Sequence, residues 1–275
     1  MSMARAIGAA TCLMTVSAAP VPVPVPGTLR IVSINPCIDA ILMRIADPAE
    51  IAGISHYSQD ARASSIPLDL ARRFHATSGT AEEVVALRPD LVLSGPHVAP
   101  STIAALKRMK IRLVQYPVPD SVDESVAQVR EMAAAIGHAD RGARLAGAIT
   151  AAARPVAGAK VPALIWQGGG LVPGAGTLSD DLLARSGFRN MSAAYGLKKW
   201  DVLPLEYLVA RPPRVLLSVG TAEAGGDRLA RHPAVRRLGE RITVAPYPAR
   251  LMNCGGPTIV AAMARLRTVR EGLGR

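Results

Sequence analysis

Short apolar segments of strand length alternate with segments of helical periodicity along most of the chain. In the first half, the pattern predicts strands at 30–34, 51–54, 91–94 and 111–115 and helices at 38–45, 80–87 and 99–109. Strands that are apolar almost throughout are typical of parallel sheets with helices on both faces. The first half is therefore predicted to be an α/β unit with a parallel sheet.

A long helical stretch separates this unit from the second half. It covers about 122–153, is interrupted at Gly137 and ends before Pro155. Its second part, 140–153, is rich in Ala and Arg and has no strand beside it, which indicates a rigid connector. The alternation then restarts, with strands predicted at 163–167, 215–219 and 242–245 and helices at 178–186 and 257–273.

The pattern as a whole predicts two α/β lobes with parallel sheets, over 28–138 and 158–275, joined by a single connecting helix over 139–157. Ligands of open α/β sheets bind beyond the carboxyl ends of the strands. Two such lobes that face each other would form a ligand cleft between them.

The first 27 residues have the pattern of an export signal followed by a spacer. Arg5 supplies a positive charge, residues 6–16 form an apolar run, and Ala18 ends a small-residue cleavage site. The run is shorter than the about 20 apolar residues that span a bilayer, and Cys12 lies inside it, which disfavours a lipoprotein anchor. We predict a signal peptide at 1–18 and an extended, proline-rich spacer at 19–27.

The chain of 275 residues has a formal net charge of +11. Its basic residues are scattered among Asp and Glu, which indicates a basic surface and no nucleic-acid-binding stripe. The sequence has no G-x-S-x-G motif, and its His, Ser and Asp residues show no spacing typical of a catalytic set. We expect a protein that is not an enzyme, although an exported α/β enzyme stays open as an alternative because one fold hosts many functions.

Two cysteines remain after removal of the signal peptide. Cys37 follows the first predicted strand and Cys254 precedes the last predicted helix. Export implies an oxidising compartment, in which a disulfide is permitted. Because both residues are expected to face the cleft, they could form a disulfide, ligate a soft metal ion or contact the ligand.

One segment is repeated at an offset of 124 residues. EEVVALRPDLVLS at 82–94 and EYLVARPPRVLLS at 206–218 share six of thirteen residues. Each copy reads as a short helix, a proline break and a buried strand, which suggests two similar lobes. Glu82 and Glu206 begin the two copies. An acid in the first turn of a helix favours the helix dipole, but a matched pair also suits a symmetric partner with two cationic patches.

The chain resembles the ABC-importer binding proteins for vitamin B12 and ferric siderophores. The resemblance rests on RIVSINPCIDAIL at 30–42, on the segment at 82–94 and on WDVLPLEYLVARPP at 200–213. It implies two Rossmann-like lobes joined by one long helix, a periplasmic monomer, and little movement on binding. It also implies that each lobe presents one glutamate to arginines of a permease dimer in the inner membrane. Those positions fall on Glu82 and Glu206, with Glu83 as the fallback if the register differs by one.

The resemblance also bears on the ligand. Tyr57 and Trp200 match two of the aromatic positions with which B12 binders of this family line the cleft, whereas Ala76, Gly95 and Val172 stand near others. We expect a transported cobalamin or other corrinoid, or a ferric siderophore or related ferric chelate, and no catalytic cofactor.

The remaining ligand-binding candidates lie in loops beside predicted strands and helices. They are Pro36, Cys37, His56, His97, Gln167, Gly168, Asn253 and Cys254. Glycines after a strand allow close backbone approach to a ligand. If the solute were a bare Zn, Mn or Cu ion, which is the alternative, its ligands would come from His56, His97 and the two cysteines. No CxxC or HExxH spacing supports this, and solvated or helix-capping histidines are the simpler interpretation.

Overall fold

The computed structural model gives the arrangement of residues 28–220 and 232–274. The signal peptide predicted at 1–18 and the spacer predicted at 19–27 lie outside these described residues. Within them, no helix is both long and apolar enough to cross a membrane. Their strands form two parallel sheets and one antiparallel ribbon.

The first sheet contains five parallel strands from the first lobe. They are β1 (Ile31–Ser33), β2 (Ile51–Ser55), β3 (Ala76–Thr77), β4 (Leu91–Ser94) and β5 (Arg112–Gln115). Their order across the sheet is β3-β2-β1-β4-β5, so the chain starts in the middle and builds outward on both sides. All residues of β1 and β4 are buried, which explains why both read as unbroken apolar runs.

The second sheet repeats this plan in the second lobe. It consists of β6 (Val161–Trp166), β8 (Phe188–Asn190), β10 (Val215–Gly220) and β11 (Thr243–Pro248) in the order β11-β10-β6-β8. All of its pairings are parallel. In both sheets, the strand that ends the repeated segment lies beside the first strand of its lobe: β4 beside β1, and β10 beside β6.

The two remaining strands, β7 (Leu171–Pro173) and β9 (Trp200–Val202), form the antiparallel ribbon. The helices cover the faces of both sheets. They are α1 (Pro36–Ile45), α2 (Leu68–Ala71), α3 (Ala81–Ala86), α4 (Pro100–Arg108), α5 (Val122–Ala135), α6 (Ala139–Ala152), α7 (Leu178–Arg185), α8 (Leu205–Ala210), α9 (Pro233–Arg236) and α10 (Thr258–Gly272).

The connecting helix is α6, which packs against α1, α5 and α10. The chain turns between α5 and α6 at Gly137, whose φ of 81° is the left-handed conformation that glycine adopts readily. The two helices then run so close together that a Cβ at position 142 would lie 2.3 Å from the Cβ of Ala133. Glycine at 142 permits this contact. The helix ends at Ala152, short of position 157 where the sequence places the end of the connector.

Polar side-chain contacts fix the start of α6 to the first lobe. The Nε2 atom of His138 lies 2.8 Å from a carboxylate oxygen of Glu50, and Arg141 lies 2.7 Å from Asp47. Glu50 also accepts a hydrogen bond from the backbone N–H of Asp47. These contacts hold the connecting helix against the turn that precedes β2.

One continuous buried cluster runs through both lobes. It includes Leu42 and Val129 from the first lobe, Ile149 from the connecting helix, and Leu183 and Leu266 from the second. Domains that move freely have small, polar interfaces, whereas these lobes share apolar side chains. The shared core favours limited relative motion of the lobes.

Most of the predicted strands and helices are present, with ends that differ by a few residues. The strand predicted at 242–245 begins one residue later and extends to Pro248. The two-residue strand β3, the edge strand β8 and the ribbon β7–β9 were not expected from the sequence.

A carboxyl group is buried inside the first lobe. Asp39 of α1 is fully buried, and its Oδ2 atom accepts hydrogen bonds from the backbone N–H of Ser55 at 3.0 Å and from the hydroxyl of Ser58 at 2.6 Å. Its Oδ1 atom is buried without a hydrogen-bond partner among the described residues. Burial raises the pKa of Asp39 to about 7, although the hydrogen bonds from Ser58 and Ser55 oppose the shift.

The raised pKa predicts a stability that falls as the pH rises. Between pH 4 and pH 7 the folded state binds the Asp39 proton more tightly than the unfolded state does. The stabilising contribution of this carboxyl is therefore complete below pH 4 and is lost as the pH rises through 7. Between pH 5 and pH 8 we expect the free energy of unfolding of the wild type to fall by about 2–3 kcal/mol. The Asp39→Asn variant should lack this fall. Urea denaturation of both proteins at the two pH values measures the difference. Parallel pH profiles for the two proteins would contradict the prediction.

Candidate functional site

A cavity lies between the two lobes, at the carboxyl ends of β4 and β5. It encloses about 900 Å³, including the part that is open to solvent. The first lobe contributes the start of α1 and residues 95–96 and 116–120, and the second contributes residues 177–179, Leu182, Trp200 and residues 251–256. The cavity therefore lies where the sequence predicts a ligand cleft.

The loop after β1 forms one wall. The side-chain oxygen of Asn35 accepts hydrogen bonds from the backbone N–H groups of Cys37 at 2.9 Å and Ile38 at 3.3 Å, which caps α1. Pro36 occupies the first turn, where its missing N–H costs nothing. A Cβ at Gly95 would lie 2.5 Å from the Asn35 amide nitrogen, so glycine allows the loop after β4 to meet the Asn35 side chain. Pro36 shapes this wall without lining the cavity.

The segment after β5 forms a second wall, with the sequence Tyr-Pro-Val-Pro-Asp at 116–120. The backbone N–H of Tyr116 donates to the carbonyl of Ser94 at 2.9 Å, which extends the pairing of β5 with β4. The amide of Gln128 donates to the carbonyl of Pro117 at 2.6 Å. Asp120 forms an ion pair with Lys199 of the second lobe, so this segment reaches across the mouth of the cavity.

The second lobe supplies the opposite wall through the loop that precedes α10. The backbone N–H of Gly256 donates to the hydroxyl of Ser125 at 2.7 Å. A Cβ at Gly255 would lie 2.7 Å from the same oxygen, so glycine permits this close approach to α5. Another part of the wall is the start of α7, which is capped by the hydroxyl of Thr177.

Cys37 and Cys254 form a disulfide on the wall of the cavity. Their Cα atoms are 5.0 Å apart although 217 positions separate them in the chain. Among the three possibilities left open by the sequence, the structure therefore has the bridge. The bond joins the start of α1 in the first lobe to the loop before α10 in the second.

The bridge corrects the candidate metal site. The sulfur atoms of a disulfide are not thiolates, and the thiolate is the form of cysteine that ligates metals. His56 and His97 do not line the cavity. The ring of His56 lies instead 3.2 Å from the carbonyl of Thr77 and against the ring of Tyr57. The structure thus does not bring these four residues together as metal ligands.

Trp200 lies at the mouth of the cavity with 47 % of its surface exposed. We predict Trp200 from the sequence as an exposed residue of a linker before a helix, but it begins strand β9 and pairs with Pro173 of β7. The backbone pairing fixes its position directly after Lys199, which forms the ion pair with Asp120.

The other predicted ligand contacts are distributed unevenly. Asn253 lines the cavity, and its side-chain amide donates to the carbonyl of Ala63 at 3.2 Å. Tyr57 is exposed and lies outside the cavity lining. Gln167 and Gly168 also lie outside it, in the turn between β6 and β7, where the backbone N–H of Gln167 donates to the carbonyl of Leu171.

Sequence reasoning missed several residues that line the cavity. The most polar of them are Asn35, Tyr116, Asp120, Gln128 and Thr177. The segment at 116–120 had a usable signal, since it follows a predicted strand at the sheet edge where ligands bind. Gln128 lies in α5 and Thr177 caps α7, and only the packing of the two lobes brings them to the cavity.

The glutamates of the repeated segment occupy matching places. Glu82 and Glu206 are each the second residue of a six-residue helix, α3 and α8, that leads into a central strand. Both side chains are exposed, and neither carboxylate forms a hydrogen bond or ion pair with the described part of the chain. They are therefore free to contact a partner.

Glu83 has a different environment. Its carboxylate accepts hydrogen bonds from the backbone N–H of Ser78 at 2.6 Å and from the hydroxyls of Ser78 and Thr77 at 2.9 Å each. These bonds hold the pKa of the Glu83 carboxyl below its usual range. Because this carboxylate stabilises the turn before α3, Glu82 is the better candidate for a contact with a partner.

The parallel sheets, the connecting helix and the cavity between the lobes define a class of solute-binding proteins. The chain belongs to the family of periplasmic binding proteins, whose family model matches residues 31–239. This is a family of solute-binding proteins and not of enzymes, and the resemblance seen in the sequence is confirmed at this level. No curated protein sequence matches the chain significantly.

Solved structures with the same fold include three with different solutes. The periplasmic heme-binding protein RhuT from Roseiflexus sp. RS-1 is 23 % identical over 88 % of this chain and 99 % of its own, with a TM-score of 0.67. The periplasmic vitamin B12 binding protein BtuF of Vibrio cholerae is 17 % identical over 90 % and 98 %, with a TM-score of 0.68. The molybdate periplasmic binding protein MolA of Haemophilus influenzae is 16 % identical over 90 % and 87 %, with a TM-score of 0.73.

Proposed function

We propose that the chain captures a corrinoid, such as cobalamin, or a ferric chelate in the periplasm and delivers it to an ABC permease dimer in the inner membrane. Haem and ferric siderophores are both counted among the ferric chelates. The observation that carries the proposal is the cavity between the lobes, to which both lobes contribute apolar and neutral polar side chains. Such a cavity suits reversible binding of a solute.

The lining favours a solute with an apolar body. Ile38, Ile41 and Leu182 supply aliphatic surface inside the cavity, and Trp200 offers an aromatic face at its mouth. A planar macrocycle can stack on an indole. Heme and vitamin B12, which RhuT and BtuF bind, are both of this kind, which supports the same class of ligand here.

A bare transition metal is not favoured as the solute. The two cysteines are bridged, and the two candidate histidines lie outside the cavity lining. Soft or borderline metals bind through thiolate and imidazole groups, and the cavity lining within the described residues contains neither.

The remaining parts of the proposal concern location and assembly. A signal peptide at 1–18 would direct export, and a disulfide fits an oxidising compartment such as the periplasm. We infer that the protein acts there as a monomer without a catalytic cofactor. Glu82 and Glu206 would guide docking on the permease, since complementary charges raise the encounter rate and orient the partners.

Titration of the purified mature protein tests the ligand. Cyanocobalamin, dicyanocobinamide, haemin and a ferric hydroxamate siderophore would be added in turn, and heat release and tryptophan fluorescence followed. We expect saturable one-to-one binding of at least one of these four compounds. Absence of binding by all four would contradict the proposed ligand class.

Trp200→Ala is expected to weaken binding of that compound roughly 10-fold, because the variant loses one aromatic contact. Tyr57→Ala is the matched control, since its ring is about equally exposed but lies outside the cavity lining. Isothermal titration of both variants gives the two affinities. An equal loss for both, or no loss for Trp200→Ala, would mean that the ligand does not rest on the Trp200 ring.

A further inference from the structure

Another pocket lies in the groove between α1 and the connecting helix α6. Its lining consists of Arg44 of α1 and of Arg141, Arg144, Leu145 and Ala148 of α6. The α6 residues recur at intervals of three and four positions, so they share one face of the helix. The packing of α6 on α1 places Arg44 beside that face. The groove encloses about 710 Å³, including the part that is open to solvent.

This groove is separate from the cavity between the lobes. Cys37 and Ile38 at the start of α1 line the cavity, whereas Arg44 lies near the other end of the same helix. The six positions from Ile38 to Arg44 correspond to about 9 Å along the helix axis. The two linings share no residue. A ligand of the groove would therefore occupy a different place from the solute.

Arg141 has a fixed position in the groove. Its guanidinium forms an ion pair with Asp47 at 2.7 Å and donates a hydrogen bond to the carbonyl of Ile45 at 3.3 Å. Both partners belong to the end of α1 and the turn after it. Because a guanidinium has five N–H donors, Arg141 keeps donors for a further acceptor while these two contacts hold it in place.

The other two arginines are exposed and unpaired. The guanidinium groups of Arg44 and Arg144 form no hydrogen bond or ion pair with residues 28–220 or 232–274, although Asp140 lies one helical turn before Arg144. Within the same described residues, three guanidinium groups line the groove and no carboxylate does. The concentration of positive charge in one concave place is therefore not balanced by an acid of the lining.

Physical chemistry indicates which ligand such a groove suits. Like charges around one concavity repel each other, and an anion between them converts the repulsion into attraction. The planar N–H groups of arginine match the oxygens of phosphate, and the resulting charge-assisted hydrogen bonds are strong. A phosphate group offers more oxygens and more negative charge than a carboxylate does, so it suits a set of three guanidinium groups better.

We propose that the groove between α1 and α6 is a binding site for a phosphate group, held by Arg44, Arg141 and Arg144. This site goes beyond the proposed function, since it takes a second class of ligand outside the cavity. The phosphate would come from a soluble phosphate compound or from the headgroup of an anionic phospholipid. Leu145 and Ala148 form the apolar part of the groove, which leaves recognition to the three arginines.

The test titrates sodium phosphate into the purified mature protein at constant pH and ionic strength, because salt screens exposed charges. We expect saturable binding of one phosphate per chain. Arg44→Gln with Arg144→Gln should weaken this binding about 10-fold or more, because two charge-assisted contacts are lost. Arg72→Gln with Arg73→Gln is the matched control. It also removes two exposed arginines, from the end of α2 outside the groove, and should bind phosphate as the wild type does.

The melting temperature separates ligand binding from a structural role of the two arginines. Without phosphate, Arg44→Gln with Arg144→Gln should melt no lower than the wild type, because the variant has lost a repulsion. Phosphate should raise the melting temperature of the wild type and of the control variant more than that of the groove variant, since a ligand stabilises the folded state that binds it. Equal effects of phosphate on all three proteins would overturn the inference, and so would a wild type that does not bind phosphate saturably, unless it binds the vesicles described next.

Vesicles distinguish the two sources of the phosphate. Cosedimentation would compare vesicles of phosphatidylglycerol and phosphatidylcholine with vesicles of phosphatidylcholine alone. Binding to the anionic vesicles that the groove variant loses and the control variant keeps would assign the site to a lipid headgroup. Saturable binding of phosphate without binding to these vesicles would assign it to a soluble phosphate compound. A wild type that binds neither phosphate nor the vesicles, or a groove variant and a control variant that lose vesicle binding equally, would show that the groove is only part of a basic surface.

Discussion

Replacing Cys37 and Cys254 together by serine is expected to lower the free energy of unfolding by about 2–5 kcal/mol. The bond links positions 217 residues apart, and a crosslink over so long a loop removes much of the conformational freedom of the unfolded chain. For a protein of this size the loss corresponds to a fall in melting temperature of roughly 5–15 °C. Thermal and urea denaturation of the mature variant and wild type, both under oxidising conditions, measure it.

Wild-type protein in a strong reducing agent is the matched control, since it loses the bond but keeps both sulfur atoms. Its stability should fall as far as that of the double serine variant, and reduction should leave the variant unchanged. A variant as stable as the oxidised wild type would mean that the bond contributes nothing to folding.

The same variant also tests what the bond does for the site. The bond ties the capped start of α1 to the loop before α10, and both of these line the cavity. Without it, the two walls are held by the shared core and by weaker contacts such as that of Asn253 with Ala63. Affinity for the solute should therefore fall in the folded variant, measured well below its melting temperature.

The fold could be predicted largely from the sequence because its central strands are buried on both faces. Segments 91–94 and 215–219 read as continuous apolar runs, and each is a central strand beside the first strand of its lobe. The two long helices between the lobes were visible from their periodicity and from Gly137 and Pro155, which lie just beyond their ends. Local pattern and tertiary position agree in such elements.

The ribbon β7–β9 could not be predicted in the same way. Leu171–Pro173 and Trp200–Val202 are three residues long and are separated by a helix and an edge strand. Pairs this short depend on partners that are distant in the sequence, and a periodicity of two cannot be recognised over three residues. This is why the sequence did not show that Trp200 begins a strand.

The site was only partly predictable for a related reason. Cys37 and Cys254 stood out because cysteine is rare in this chain, but their bond depends on a distance that spacing does not give. Tyr116 sits in a segment that no motif marks, and only the pairing of β5 with β4 places it at the cavity wall. His56 attracted attention by residue type and Tyr57 by its match to an aromatic position of the family, although the structure places both outside the cavity lining.

Reversing the charge of the glutamates that begin the two repeated segments, by Glu82→Lys with Glu206→Lys, is expected to abolish uptake of the solute. Binding of the solute should remain unchanged. Both carboxylates are exposed and lie at the same position of matching helices in the two lobes. Neither residue lines the cavity, so the solute site should remain intact. If each contacts a cationic patch of the permease, two lysines convert two attractions into two repulsions. Uptake of radiolabelled solute by cells that lack the chromosomal copy measures the effect.

A variant with the same change in net charge separates docking from general electrostatics. Asp140→Lys with Glu271→Lys also reverses two exposed acids, one of them in the first turn of a helix, and it should support normal uptake. Single reversals should each reduce uptake partially, because one lobe still docks. Normal uptake by the double glutamate variant would mean that Glu82 and Glu206 serve only the starts of their helices. Loss of uptake by Glu82→Lys alone, with none by Glu206→Lys, would mean that the permease contacts one lobe and that the repeat reflects folding rather than a symmetric partner.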